Sequence, residues 1–423
     1  IGAKFDGKKT GNHFPFTVFS FQAIKHLTTI DGGALSDTAS YSSVAASLTV
    51  TVDSGNTSAI VNDGTNSNTL KNIEKIIGGD GNDTFIVSNV AGINTLDGDG
   101  GNNTLKLSGN LDLSSVTLLN FQNLEIANGD TLTLNAVDLS GKTMNISMLG
   151  TGSLVIVSDG SNHNFSNISV TKGTGTVTLD VNINKDISAT NINNIIDKFD
   201  VASGSTLTLS YSQFNGHTGV GTGTLKLSDT SLTGTQIKSV NDASTNAIDL
   251  TNVTTISTAT MAEMLEIVNN TGATFTTATN YVVTISDIAS PTDINKVLAD
   301  TTGVVTATVS TDTASNLNSA LTNATSTDAL TLTITDTSLS SLTNLLALDT
   351  KTSVAVNASS ITSITETYAN LNTAYSSAGI SGLGNEAVTI TDTQSATNVN
   401  TILGKTTGVV TATVSTDTAS NLN

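Results

Sequence analysis

Cysteine and tryptophan are both missing from this chain of 423 residues, and proline occurs only twice, as Pro15 and Pro291. Without cysteine there can be no disulfide, no thiolate metal site and no cysteine nucleophile. Charge is scarce as well: 12% of residues are charged, against about a quarter in ordinary soluble domains. Basic residues number 16 against 35 acidic ones, for a net charge of −19, so the clustered lysine and arginine that nucleic-acid binding needs are not there. No apolar run approaches the ~20 residues that span a bilayer, so no transmembrane segment is expected. What remains is a surface of Thr, Ser and Asn. An excess of carboxylates this large points to bound cations, to a salty medium, or simply to solubility. The lack of cysteine is compatible with export.

The opening segment, 1–29, differs from the rest. It holds five of the eleven Phe (Phe5, Phe14, Phe16, Phe19 and Phe21) and four of the 16 basic residues (Lys4, Lys8, Lys9 and Lys25). The phrase Phe19-Ser20-Phe21-Gln22-Ala23-Ile24-Lys25-His26-Leu27-Thr28-Thr29, preceded by Ile1-Gly2-Ala3-Lys4-Phe5-Asp6-Gly7-Lys8-Lys9, resembles the cofactor-lysine segment of the DegT-type sugar aminotransferases. That resemblance implies pyridoxal phosphate as cofactor, Lys25 as the Schiff-base lysine and Ser20 as a phosphate contact. A stretch this short cannot enclose a cofactor, so we expect a fragment of such an enzyme, not a working active site. The join is expected near Thr29–Leu35, where Asp31-Gly32-Gly33 suits both neighbours.

Gly78-Gly79-Asp80-Gly81-Asn82-Asp83-Thr84-Phe85-Ile86 fills every fixed position of the nonapeptide G-G-x-G-x-D-x-U-x. Glycines permit left-handed turns that aim several carbonyls at one ion, and calcium accepts many oxygen ligands. With its lead-in, Thr69 to Ile77, the stretch resembles the calcium-binding repeats of RTX-type (hemolysin-type) secreted proteins. A second copy runs from Gly98 to Leu105, close to one turn of a parallel β-roll further on, with Asn103 where the key Asp belongs. A third, poorer copy begins at Gly32. The resemblance implies one or two weak calcium sites drawn from Gly78, Asp80, Asn82, Asp83, Asp97, Asp99 and Asn103. A glycine-aspartate-asparagine turn without metal is the alternative reading of the same residues.

Beyond Leu111, short strands lie between Gly/Asn/Asp turns: alternation such as Thr131-Leu132-Thr133-Leu134 argues a half-buried strand, and the unbroken apolar run Leu154-Val155-Ile156-Val157 argues a fully buried one. They point to a β-solenoid, with a β-sandwich as runner-up. The tail repeats outright: Thr301–Asn318 and Thr406–Asn423 are identical. Strands are expected near Leu225, Ile248, Val282, Val304, Leu330, Val354, Val388 and Val410, with short helices between them. The steps are uneven, the longest running from Ile248 to Val282 and from Val354 to Val388. Ser290-Pro291-Thr292-Asp293 reads as a helix start, and Ala314–Leu321 and Leu339–Leu348 as helical.

The expected fold is therefore mainly β, a parallel β-roll or β-solenoid followed by short-helix α/β solenoid-like repeats. The first three expected divisions are 1–29 (aminotransferase-like fragment), 30–135 (calcium-repeat region) and 136–223 (β-solenoid-like region). The fourth, 224–423, is read as β-α repeats of about 24 residues, the size of an α/β solenoid unit. Ile1 in place of Met, and an end inside a repeated phrase, lead us to expect artificial ends and a longer natural protein. His13, His26, His163 and His217 are read as surface or packing residues, Glu263 and Glu266 as a solvated helix face, and Gly219 to Gly223 as a flexible turn. The expected role is that of a bacterial cell-surface or extracellular protein, structural or adhesive, with calcium ions and a surface glycan or protein as partners. A metal-free spacer and an aminotransferase are the alternatives.

Overall fold

A computed structural model describes residues 16–20, 24, 28–53, 58–187 and 195–416. The chain divides into two units, Ile1–Leu225 with Ala243–Asn246, and Lys226–Asp242 with Ala247–Asn423. It is mainly β, built of parallel strands in solenoid-like stacks with a few short helices.

In the first unit, chemically similar strands lie above one another. Thr49–Val52, Thr84–Val87, Thr104–Leu107, Asn123–Ile126, Met144–Met148 and Ile168–Lys172 pair in parallel, each with the next. The register places Val50, Phe85, Leu105, Leu124 and Ile146 in one inward column, all buried. Thr, Lys and Asn are common at the alternate, outward positions. Each such inward side chain contributes about 1.5–3 kcal/mol by leaving water, and none can do so without a neighbour above or below. A second column (Leu134, Ile156, Leu179 and Phe199) runs through the parallel strands Thr131–Asn135, Ser153–Val157, Val177–Val181 and Lys198–Val201. Ser153–Val157 buries Leu154 and Ile156 but leaves Val155 and Val157 half-covered, so the unbroken apolar run is a one-faced strand.

One excursion breaks the parallel order. Ser58–Asn62 runs antiparallel to both Thr49–Val52 and Ser67–Lys71. This insertion explains an irregularity in the pairing. Lys75 finds its partner at Thr95, one ordinary turn on, whereas Thr38 must reach across the excursion to pair with Lys75.

The second unit adds a helix to most turns. Pro291–Asp300 starts as the sequence implied, with the Ser290 hydroxyl accepting from the Asp293 N–H at 3.1 Å. Ala314–Ala320 and Thr343–Asp349 are helical, and so are Gly234–Asp242, Met261–Val268, Tyr368–Ser376 and Ala396–Leu403. Partner strands follow one another at a nearly even interval: Ser231 pairs with Thr255, Val283 with Val305, Ser338 with Ser363, Ser363 with Ala387 and Val388 with Val410. The longer steps in the sequence come from hopping between columns: Ile248 pairs with Phe275, whereas Val282 pairs with Thr255.

Candidate functional site: the glycine-aspartate loops

The loop Gly78–Asp83 follows the strand Lys75–Ile77, and Gly98–Asn103 follows Thr95–Asp97 one turn on. Their backbones nearly touch. A Cβ on Gly101, whose φ is +83°, would sit 2.2 Å from the Gly81 carbonyl oxygen, and one on Gly78 would sit 2.4 Å from Asp83 Oδ2. Glycine is required at both places for space, and at Gly101 for conformation as well.

Asp83 is buried, and both of its carboxylate oxygens accept backbone N–H groups: Oδ1 from Leu48 at 2.7 Å and Oδ2 from Gly79 at 2.6 Å. The N–H of Asp83 in turn donates to Asn103 Oδ1 at 2.8 Å, and the N–H of Asn103 donates to Gln122 Oε1 at 2.7 Å. One rung after another, a side-chain oxygen thus takes the orphan N–H of the rung before it. Asn103 adds two bonds that a carboxylate could not make, donating from Nδ2 to the carbonyls of Gly100 at 2.9 Å and Asn120 at 3.0 Å. At the loop surface Asn82 Oδ1 accepts from the Asn102 N–H at 2.8 Å, and Asn102 Oδ1 accepts from Asn123 Nδ2 at 2.8 Å. Gly98, the first residue of the upper loop, donates its N–H to the Leu119 carbonyl at 2.9 Å, while Gly78 donates to Asp97 at 2.8 Å.

The remaining acids, Asp80, Asp97 and Asp99, lie nearer solvent. Asp97 Oδ1 accepts from the Asp99 N–H at 3.0 Å and from Asn120 Nδ2 at 2.7 Å. Burial first, and then the charges of Asp97 and Asp80, hold the Asp99 carboxyl above the usual carboxylate range. Burial likewise pushes Asp83 upward against the two N–H groups that favour its ionised form, and the Asp99 charge adds to the rise. Among the described residues, no group of three or more His, Asp or Glu side chains is gathered in a way that could hold a metal ion. The nonapeptide's key carboxylate accepts two backbone N–H groups, and at the next rung an amide oxygen takes the corresponding N–H.

The phrase beginning at Gly32 does not stack in this column. Asp37 donates its N–H to Glu74 Oε2 at 2.6 Å, and Gly32 donates to the Lys71 carbonyl at 3.0 Å. The rung beneath Gly78–Asp83 is formed by residues 41–48, with Asp80 donating to the Val44 carbonyl at 2.8 Å.

Ser20, the implied phosphate contact, is exposed on the strand Phe16–Ser20, where it pairs with Ser40 of Ser36–Ser40. Lys25, His13 and His26 lie outside the described residues. His163 is buried, stacked on Phe165 at 6.1 Å, and its Nε2 lies 2.6 Å from Asp159 Oδ1. That pair was readable from its four-residue spacing, Asp159-Gly160-Ser161-Asn162-His163. His217 packs against Phe199 at 5.4 Å. Glu263 and Glu266 do not form a free solvated face. Glu263 Oε1 accepts from Thr235 Oγ1 at 2.8 Å and Glu266 Oε1 from Lys238 at 2.9 Å, joining their helix to the preceding one. Gly219–Gly221 belongs to the strand Thr218–Gly221, not to a free turn.

Residues 1–49 match the DegT/DnrJ/EryC1/StrS aminotransferase family. The match extends past Thr29 to residues whose strands are built into the stacked sheets: Thr28–Asp31 pairs with Ser67–Lys71, and Ser36–Ser40 with Lys75–Ile77. No curated protein and no solved structure matches the chain. No helix among the described residues is long and apolar enough to cross a membrane.

Proposed function

We propose that the chain is a structural repeat scaffold of an exported or surface-exposed bacterial protein, with no reaction of its own. Its outer face of Thr, Ser and Asn would be offered to a glycan or protein target. One observation carries this reading. The Leu48–Asp83–Asn103–Gln122 series spends the polar groups that chemistry would need on holding one rung to the next. Calcium titration calorimetry at fixed ionic strength tests it. The scaffold reading expects no stoichiometric binding heat; a saturable site lost in Asp83→Asn would overturn it.

Two other readings each have one observation in their favour. Mutual repulsion among Asp80, Asp97 and Asp99 would be relieved by a cation, so the calcium reading rests on those three acids. A calcium heat abolished by Asp99→Asn but kept in Asp83→Asn would support it. The aminotransferase reading rests on residues 1–49. It requires an absorbance band on mixing with pyridoxal phosphate that disappears in Lys25→Ala.

A further inference from the structure

Asparagine stands directly before glycine at two places in the chain, Asn128-Gly129 and Asn215-Gly216. At such a step the side-chain carboxamide carbon lies within reach of the next backbone nitrogen, and glycine has no Cβ to obstruct their approach. Whether the two atoms meet depends on how firmly the fold holds them apart.

The fold treats the two steps differently. Asn128 is tied to the next turn: its Oδ1 accepts from the Thr151 N–H at 2.9 Å and from Thr151 Oγ1 at 3.3 Å, and a Cβ on Gly150 would lie 2.0 Å from the same oxygen. Asn215 is exposed at the end of the helix Tyr211–Phe214, and its side chain bonds to no other turn among the described residues. Gly216, at φ +88°, is also exposed, with open space on the side where a Cβ would stand.

Two donors face this second step. The Tyr211 hydroxyl donates to Asn215 Oδ1 at 3.4 Å, which draws electron density away from Cγ. His217 Nδ1 lies 3.2 Å from the Phe214 carbonyl oxygen and 3.3 Å from that of Asn215. Carbonyl oxygens only accept, so Nδ1 carries a hydrogen. It donates to the carbonyl of the peptide whose nitrogen belongs to Gly216, and so favours loss of that N–H proton. With Asn215 at ψ 123°, ring closure needs this peptide to rotate, and Gly216 leaves it room to do so.

We propose that Asn215-Gly216 is a self-modifying site that converts the asparagine into aspartate or isoaspartate. The Gly216 nitrogen bonds to Asn215 Cγ, the Cγ–Nδ2 bond breaks, and Nδ2 leaves as ammonia with the proton from Gly216. Water then opens the cyclic imide at either of its carbonyls. Both products add a carboxylate. Isoaspartate also lengthens the main chain just before His217 and Thr218, whose N–H groups bond to the Phe214 and Asp197 carbonyls at 2.9 and 3.2 Å.

The test incubates the full chain at neutral pH and follows amide loss at both steps by peptide mapping with mass spectrometry. Tyr211→Phe, His217→Phe and a sample of the native chain in urea are run beside it. The proposal expects loss at Asn215 at least tenfold faster than at Asn128, and rates within threefold of each other in urea. It expects each substitution to slow loss at Asn215 at least threefold and to leave Asn128 unchanged. A substitution that merely loosened the turn would speed the loss, so slowing identifies the donor. Equal rates at the two steps in the folded chain would overturn the proposal, as would unchanged or faster loss at Asn215 in either variant. A gap that persists in urea would do the same, because the difference would then lie in the neighbouring sequence and not in the fold.

Discussion

Asp83 and Asn103 stand one turn apart in the same column and do the same job with different chemistry. Each offers a side-chain oxygen to a backbone N–H of the rung below; Asn103 also gives two hydrogens to carbonyls. Asn103→Asp, which places the nonapeptide's aspartate in the second copy, should therefore destabilise the fold. It would set a carboxylate against the Gly100 and Asn120 carbonyls, at a cost of about 1–3 kcal/mol for the lost and mismatched bonds. Denaturant unfolding checks this, and a stabilisation that depends on calcium would contradict it. The nonapeptide was legible in the sequence because its glycines are needed for close stacking. The partners of its aspartate were not, since Leu48 lies on the far side of an antiparallel insertion that no spacing rule locates. Lys25 could be read as a candidate from its neighbours, but so short a motif does not reveal whether an enzyme surrounds it.

The short helices are held by the same device at the scale of whole elements. The N–H groups of Met261, Ala314, Leu342 and Tyr368, at or next to helix starts, donate to Asp287, Asp336, Glu366 and Asp392 respectively, each contributed by the following turn. Carboxylates at helix N-termini satisfy orphan N–H groups and complement the helix dipole. Asp287→Ala should cost about 1 kcal/mol, read as faster exchange at the Met261 amide, while Asp287→Asn should retain most of the protection. An Asp287→Ala chain with unchanged exchange there would show the contact to be incidental. The pH response should differ between elements. Burial alone would raise the Glu263 and Glu366 carboxyls, but the N–H and hydroxyl groups around them prevail and hold both below the ordinary range. Their stabilisation is present above the unfolded-chain value, about 4.3, and is lost as pH falls through their lower folded values. Asp83 and Asp99 are held above the usual range, so their ionisation opposes folding as pH rises through those raised values. Acidification from about pH 6 to about pH 3.5 should loosen the helix starts at Leu342 and Thr260 relative to the loop at Gly78–Asp83, measured by exchange at both. Loosening of the loop alone would contradict this assignment. Ser290 and Pro291 made one helix readable in advance; Tyr368–Ser376, whose Thr367 makes no side-chain cap bond, gave no comparable signal.

Across the whole chain, several of the acids behind the −19 charge accept backbone N–H groups of a neighbouring turn. Many acids act as acceptors between turns, and the scarcity of lysine leaves the N–H groups as their partners. The mainly β, repeating character was legible because inward columns need apolar residues at every second position of every strand. The true one-turn interval in the second unit was obscured because each turn contributes strands to more than one column. The central claim is that side-chain hydrogen bonds tie successive rungs together without help from an ion, as the scaffold proposal holds. The most direct measurement is hydrogen exchange at the Leu48 amide, in the native chain, Asp83→Asn and Asp83→Ala, each with calcium and with chelator at matched ionic strength. The account predicts slow exchange in the first two chains, exchange at least tenfold faster in Asp83→Ala, and no effect of calcium on any of them. Protection that appears only when calcium is added, and that Asp83→Asn abolishes, would contradict it.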